Sequence, residues 1–297
     1  MKFGFSSVAC PGWDLPTIIE NAAAFGFAGV ELRGLRGELH LPLVPELAAD
    51  PERVRRRFEE KHVELLCLGT SATLDSRKPQ KVAEQKAILT EFIELADRLG
   101  CPYVRMYAGE VQRRDNRRLA IGRIAEALIS MVPVVSRHQV TLVVENAGDF
   151  PGSDDLWFLI DAVGHPSIRC CWNQCIARTV GERATTSIPR LGHKIAFVHL
   201  CDASFDEQGV LLEYRPLGDG DVEVARQIEM LKGLAYNRYL VLEWPKLWVE
   251  SLAEPETSLP AAAAFLKTCV SATQNVLSAY KGDKQAPKLA PLATDAR

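Results

Sequence analysis

The sequence predicts an α/β protein folded as a single (β/α)8 TIM barrel, and three observations carry that prediction. Eight short apolar runs recur along the 297 residues, separated by longer segments of helical periodicity. The runs are continuously hydrophobic rather than alternating, which suits parallel strands covered by helices. Polar residues able to do chemistry stand directly after several different runs, as a barrel's C-terminal face requires, and no GxGxxG follows the first run to suggest an open, doubly wound sheet.

In chain order the predicted strands are residues 3–6 (FGFS), 29–32 (GVEL), 63–68 (VELLCL), 103–107 (YVRMY), 141–145 (TLVVE), 168–172 (IRCCW), 196–200 (AFVHL) and 239–243 (YLVLE). Helical periodicity fills residues 15–25, 51–61, 81–99, 117–137, 156–163 and 222–234, and a last helix is expected from about 260 to 280. No internal repeat or linker divides this stretch, so residues 1–280 read as one domain. Residues 281–297 (KGDKQAPKLAPLATDAR) lack apolar periodicity and read as a flexible C-terminal tail.

Composition narrows the function classes. With 47% hydrophobic and 25% charged residues the chain is not disordered throughout. Lys+Arg 35 against Asp+Glu 38 gives a net charge of −3, without the positive field that non-specific nucleic-acid binding needs. No run approaches the roughly 18 apolar residues of a membrane span, and MKFGFSSVACPGWD lacks a signal peptide's apolar core, so a cytoplasmic protein is expected. Of the eight cysteines, Cys67, Cys170, Cys171 and Cys201 lie in apolar runs, and no zinc-knuckle CxxC occurs; buried thiols are expected.

The residues at the strand ends carry the chemistry. Strand two ends in Glu31 and Arg33, strand four passes Arg105 and Tyr107, strand five ends in Glu145 and Asn146, and strand six in Trp172 and Asn173. Strand seven gives His199 and Asp202, and strand eight Glu243 and Trp244. A carboxylate closing an apolar run such as TLVVE or YLVLE is costly to bury alone and calls for an Arg or a metal. Two such carboxylates, one imidazole and one amide oxygen could converge on one divalent ion, and this oxygen-dominated ligation points to Mn²⁺, Mg²⁺ or Co²⁺ rather than to a sulfur-rich zinc site, with Zn²⁺ still possible. Against this stand plainer roles: Glu145 and Glu243 as ion pairs with an Arg, His199 as a core histidine, and Asn173 as a loop cap.

At these residues the chain resembles the xylose isomerase-like TIM barrels, the sugar phosphate isomerases and epimerases that include ketose 3-epimerases and inosose dehydratases. The resemblance runs from about residue 1 to 280 and rests on FSSVACPGWDL, GVELRGLRGEL, LLCLGTSA, YVRMYAGE, VVENAGDF, FVHLCDAS, PLGDGD and LEWPKLWVESLAEPE. It implies metal ligation by Glu145, Asn173, His199 and Glu243, with Glu145 and Glu243 also the catalytic acid/base pair. One segment departs from the pattern. Where members carry WDxxH, this chain reads Trp172-Asn173-Gln174-Cys175-Ile176, although Arg178 and Glu182 keep the RxxGE that follows. Asn brings no negative charge, and Ile176 cannot hydrogen-bond a hydroxyl. Cys175 offers a thiolate that would shift preference towards zinc.

Substrate binding is assigned to Arg33, Arg105 and Arg215, whose guanidinium groups suit phosphate or carboxylate, and to Arg178, Asp202 and Lys246. The expected partner is a small-molecule sugar, with no nucleic acid or membrane and with a homo-oligomer left open. The expected reaction is proton abstraction next to a carbonyl through a metal-stabilised enediolate. The alternatives are a dehydratase or keto-glycoside lyase on the same site, or a sugar-binding barrel without turnover. A multi-zinc phosphodiesterase like endonuclease IV would need more ligands than six histidines supply.

Overall fold

The computed structural model describes residues 1–113 and 115–282, with side chains up to residue 271. Its strands are β1 (Lys2–Ser6), β2 (Gly29–Leu32), β3 (Glu64–Gly69), β4 (Tyr103–Tyr107), β5 (Thr141–Glu145), β6 (Ile168–Asn173), β7 (Ile195–Leu200), β8 (Asp202–Phe205), β9 (Leu211–Arg215) and β10 (Tyr239–Leu242). Eight of them close into a barrel in the order β1-β10-β7-β6-β5-β4-β3-β2 with every pairing parallel, which is the predicted (β/α)8 barrel. The helices between them are α1 (Leu15–Phe25), α2 (Pro45–Ala49), α3 (Pro51–Glu60), α4 (Pro79–Leu99), α5 (Arg117–Arg137), α6 (Ser153–Val163), α7 (Gln174–Arg178), α8 (Ala184–Leu191), α9 (Val224–Gly233) and α10 (Pro255–Gly282).

Local chemistry sets where these elements begin and end. Asp14 accepts from the Thr17 amide at 3.0 Å and opens α1, with Pro16 in its first turn. Gly26 closes that helix at φ +81°, a left-handed conformation that suits glycine. α5 is long and apolar enough to cross a bilayer by length and composition, yet here Ile124, Leu128, Met131 and Val135 belong to the buried core. Cys10, Cys67, Cys101, Cys170, Cys171, Cys175 and Cys201 are buried free thiols.

The strand period of two decides what faces the barrel axis. Leu142 and Val144 of β5, Val198 and Leu200 of β7, and Leu240 and Leu242 of β10 join the large core under the helices. Val143, Cys171, Phe197, Tyr239 and Val241 form a separate inner cluster. Tyr239 plugs the N-terminal end: a Cβ on Gly29 would lie 2.7 Å from its ring, so only glycine leaves room there. Two residues beyond the inner cluster along each strand, the same alternation carries Glu145, Asn173, His199 and Glu243 to the inside at the C-terminal mouth.

Several features differ from the sequence expectation, among them two helices without a predicted counterpart, α2 before α3 and α8 before β7. α10 starts at Pro255 rather than near 260, because Pro255 fits a first helical position. α7 adds a short helix after β6, and β8 and β9 form an antiparallel hairpin over the mouth. The mostly exposed residues of β9 contribute little to the core and so carry no hydrophobic pattern. The expected tail lies, from residue 283 on, outside the described residues.

Candidate active site

The floor of the mouth is a buried ionic cluster. His199 Nε2 lies 2.8 Å from Glu31 Oε2 and Nδ1 lies 2.8 Å from Glu145 Oε1. Arg105 Nε reaches Glu31 Oε1 at 3.1 Å and Glu145 Oε2 at 3.3 Å, and its Nη1 donates to the Thr70 carbonyl at 3.3 Å. Every one of these side chains is at most 1% exposed. Burial opposes ionisation of Glu31 and Glu145, but the positive charges of His199 and Arg105 hold both below the usual carboxylate range. Burial likewise works against a charge on His199, and the thiol and carboxylates around it raise its pKa well above the ordinary value. Two anions thus face two cations, and removing either partner alone would strand a buried charge.

Above this floor stands Asn173. Its Nδ2 donates to Glu145 Oε1 at 3.0 Å and to Glu243 Oε2 at 2.8 Å. Its Oδ1 accepts from the amides of Cys175 at 3.1 Å and Ile176 at 3.4 Å, capping α7. The cap fixes the amide's orientation, since a flip would set Nδ2 against two N–H donors. Asn146 anchors the strand end beneath it, accepting from the Asn173 amide at 2.8 Å and donating to its carbonyl at 2.9 Å. Glu243 keeps 21% of its side chain exposed. Burial and the negative charge of Glu145 push its carboxyl up to about 7, against the pull of His199 and Arg105.

Glu145, Asn173 and Glu243 open into a pocket of about 210 Å³ walled by Tyr107, Ile176, Leu211, Tyr214 and Trp248. A larger cavity of about 730 Å³ lies beyond Leu211 and Tyr214, against α10, and lacks the carboxylate pair. The carboxylate pair lines the smaller one.

The remaining expected site residues have other surroundings. Arg105 belongs to the floor. Arg33 is buried beside the mouth, with Nη2 donating to Ser71 Oγ at 2.5 Å and its guanidinium 5.8 Å from the Trp248 ring centre. Arg178 lies 5.5 Å from the Phe205 ring, and Arg215 is exposed on β9 in an ion pair with Glu213. Lys246 Nζ donates to the carbonyls of Glu250 at 3.1 Å and Leu252 at 2.8 Å and pairs with Glu254 at 2.9 Å, closing the loop after β10. Asp202 accepts from four backbone amides, those of Ala203 (2.9 Å), Gly218 (2.8 Å), Gly220 (3.1 Å) and Val222 (3.1 Å). Its carboxylate organises the PLGDGD loop. Asp202→Ala would leave those amides without an acceptor, and urea unfolding should register a loss of about 2–4 kcal/mol, on the scale of about 1–3 kcal/mol per stranded buried group; a loss below 1 kcal/mol would mean water replaces the carboxylate. Glu31 and Asn146, strand-end residues outside the expected site, prove to be part of its floor and its support. Glu31 carries a related signal, a carboxylate inside the apolar run GVEL.

Glu145, Cys171 and His199 offer three metal-ligating atoms within 4.8 Å of one another, and Glu243 Oε2 lies 3.8 Å from His199 Nδ1. Burial pushes the Cys171 thiol up to about 12, which leaves the carboxylates and imidazole as the better donors at neutral pH. Glu31 holds His199 Nε2, so loss of the Nδ1 proton would turn a lone pair towards Glu145 and Glu243. Glu145 and His199 could hold a divalent ion together with Glu243. Asn173 fits it less well, because a donor N–H₂, not an oxygen, faces the two glutamates.

The profile of a family described as Xylose isomerase-like TIM barrel matches residues 19–269. Among solved structures, the IOLI protein with a binding zinc atom superposes with a TM-score of 0.78 at 15% identity, over 91% of this chain and 98% of that one. L-ribulose 3-epimerase gives 0.75 at 18% identity, over 98% and 99%. The probable 3-DHS dehydratase AsbF of petrobactin synthesis from Bacillus anthracis gives 0.73 at 17%, over 90% and 99%. A comparison with curated protein sequences finds no match.

Proposed function

Because the chain belongs to the xylose isomerase-like TIM barrel family, we propose that it is a sugar isomerase or epimerase that moves a proton at the carbon next to a carbonyl. The observation that carries this reading is the Glu145–Glu243 pair, bridged by one amide and pushed towards opposite protonation states. Environments that separate two carboxyl pKa values assign one group as base and the other as acid.

Glu145, ionised on the floor, takes the substrate proton on a carboxylate oxygen. Glu243, which holds its own proton up to about pH 7 and faces the pocket, returns one to the opposite face of the same carbon. Asn173 keeps both carboxyls aligned, and Glu31 with Arg105 keeps His199 and Glu145 from turning. A divalent ion held by Glu145, His199 and Glu243, Mn²⁺ by preference with Mg²⁺, Co²⁺ and Zn²⁺ as alternatives, would supply positive charge that lowers the substrate C–H pKa. The zinc reported in the IOLI structure supports a metal in this fold. Loss of a β-hydroxyl or aglycone after the same proton abstraction is the second reading, favoured by Ile176, which replaces a hydrogen-bonding wall with an apolar one.

Incubation of the metal-loaded protein with ketoses, 3-keto-glycosides and inososes in D₂O, followed by NMR, should show C–H exchange with at least one of them. No exchange above a protein-free control with any of the three classes would favour a sugar-binding barrel without turnover. Elemental analysis after dialysis against Mn²⁺, Co²⁺ and Zn²⁺ should find close to one ion per chain in wild type and far less in Glu145→Ala. Equal, substoichiometric content in both would remove the metal from the mechanism.

A further inference from the structure

We propose that Arg33 is an anion-binding subsite of this pocket, so that the sugar acted on by Glu145 and Glu243 carries a carboxylate or a phosphate. The inference rests on the reading of that pair as a sugar site and adds the class of sugar.

Arg33 stands one residue beyond β2, in the bend that follows Leu32 at the mouth end of the strand. It is 4% exposed, and its Nε and Nη1 are buried with no hydrogen-bond partner. Among the described residues no carboxylate forms an ion pair with it. The neighbouring arginine behaves differently: Arg105 is satisfied by Glu31, Glu145 and the Thr70 carbonyl. Glu31, the nearest candidate counter-ion by position, is already engaged by Arg105 and His199.

A guanidinium cannot escape burial by losing its proton, as a lysine can, so an unpaired one is a standing cost unless a ligand completes it. A two-oxygen anion is the complement its planar fork fits. Arg33 also borders the pocket through Trp248 and the floor through Gly69. Arg33 Cδ and Glu31 Oε1 lie within 2.9 Å of the point where a Cβ on Gly69 would stand, so the absence of a side chain there lets Arg33 pack against the floor. On its other side the guanidinium faces Trp248, which walls the pocket with Glu145 and Glu243 and is itself 55% exposed. Rotation of that half-free indole would open the Nε and Nη1 donors to the pocket.

Calorimetric binding of fructose, fructose 6-phosphate and 5-ketogluconate to wild type, Arg33→Met and Glu243→Gln tests the subsite and tells the two anions apart. At least one anionic sugar should bind wild type tenfold or more tightly than fructose. That preference should fall below twofold in Arg33→Met and persist in Glu243→Gln. Preference for the phosphate or the ketogluconate identifies which anion the subsite takes. Equal binding of neutral and anionic sugars, or an undiminished preference in Arg33→Met, overturns the proposal. So does failure of all three to bind when inorganic phosphate and acetate also give no Arg33-dependent rise in melting temperature. Binding needs no turnover, so an Arg33-dependent preference without C–H exchange would remove the proposed reaction and leave the subsite. Exchange without the preference would remove the subsite alone.

Discussion

In Glu243→Gln, substrate C–H exchange should fall by about 10²–10⁴-fold, the usual loss when a positioned acid or base is removed, and Glu145→Gln should lose as much. Glu243 also couples pH to stability. Its carboxyl titrates at about 7 in the fold against an ordinary 4.5, so the contribution from staying protonated is fully present below the ordinary value and is lost as pH rises through about 7. Glu243→Gln is neutral throughout. The metal-free variant should therefore gain stability relative to wild type between pH 5 and pH 8, by up to about 3 kcal/mol at about 1.4 kcal/mol per pKa unit. Denaturant unfolding of the metal-free proteins at pH 5 and pH 8 measures this; equal stability differences at both ends would remove the raised carboxyl of Glu243.

Asn173→Asp should raise affinity for Mn²⁺ by tenfold or more, about 1.4 kcal/mol, while lowering the stability of the metal-free protein. Both effects follow from the cap on α7. One oxygen of the new carboxylate would continue to accept from Cys175 and Ile176, which leaves the other pointing where Nδ2 now donates to Glu145 and Glu243. Without an ion that oxygen meets two carboxyls and receives no hydrogen bond from Glu145. With an ion it becomes an anionic ligand, and ligand charge is a main determinant of affinity for hard cations. Calorimetric titration and melting with and without Mn²⁺ read the two effects separately. An equal or weaker metal constant for the Asp variant would show that residue 173 does not face the ion.

The barrel was legible because its evidence is local. Continuous apolar runs, helical periodicity between them and a carboxylate or imidazole closing several runs are each visible within a few residues, and the period of two then dictates that Glu145, His199 and Glu243 share the inner face. Other features were not local. Glu31 and His199 are 168 residues apart and meet only because the sheet closes on itself. Asp202 and Lys246 looked like substrate groups because sequence reports a charge and not its direction; the fold turns one to four loop amides and the other to the loop after β10. The β8–β9 hairpin, which walls the pocket with Leu211 and Tyr214, has little of the buried pattern by which a strand announces itself. By itself the sequence determined the (β/α)8 barrel and which strand ends carry ionisable groups, since burial periodicity is written residue by residue. Only the tertiary structure decided which of those groups touch, that the Asn173 amide points its hydrogens rather than its oxygen at the glutamates, and that Arg33 is left without a counter-ion, because hydrogen-bond direction and ion pairing depend on neighbours brought from distant parts of the chain.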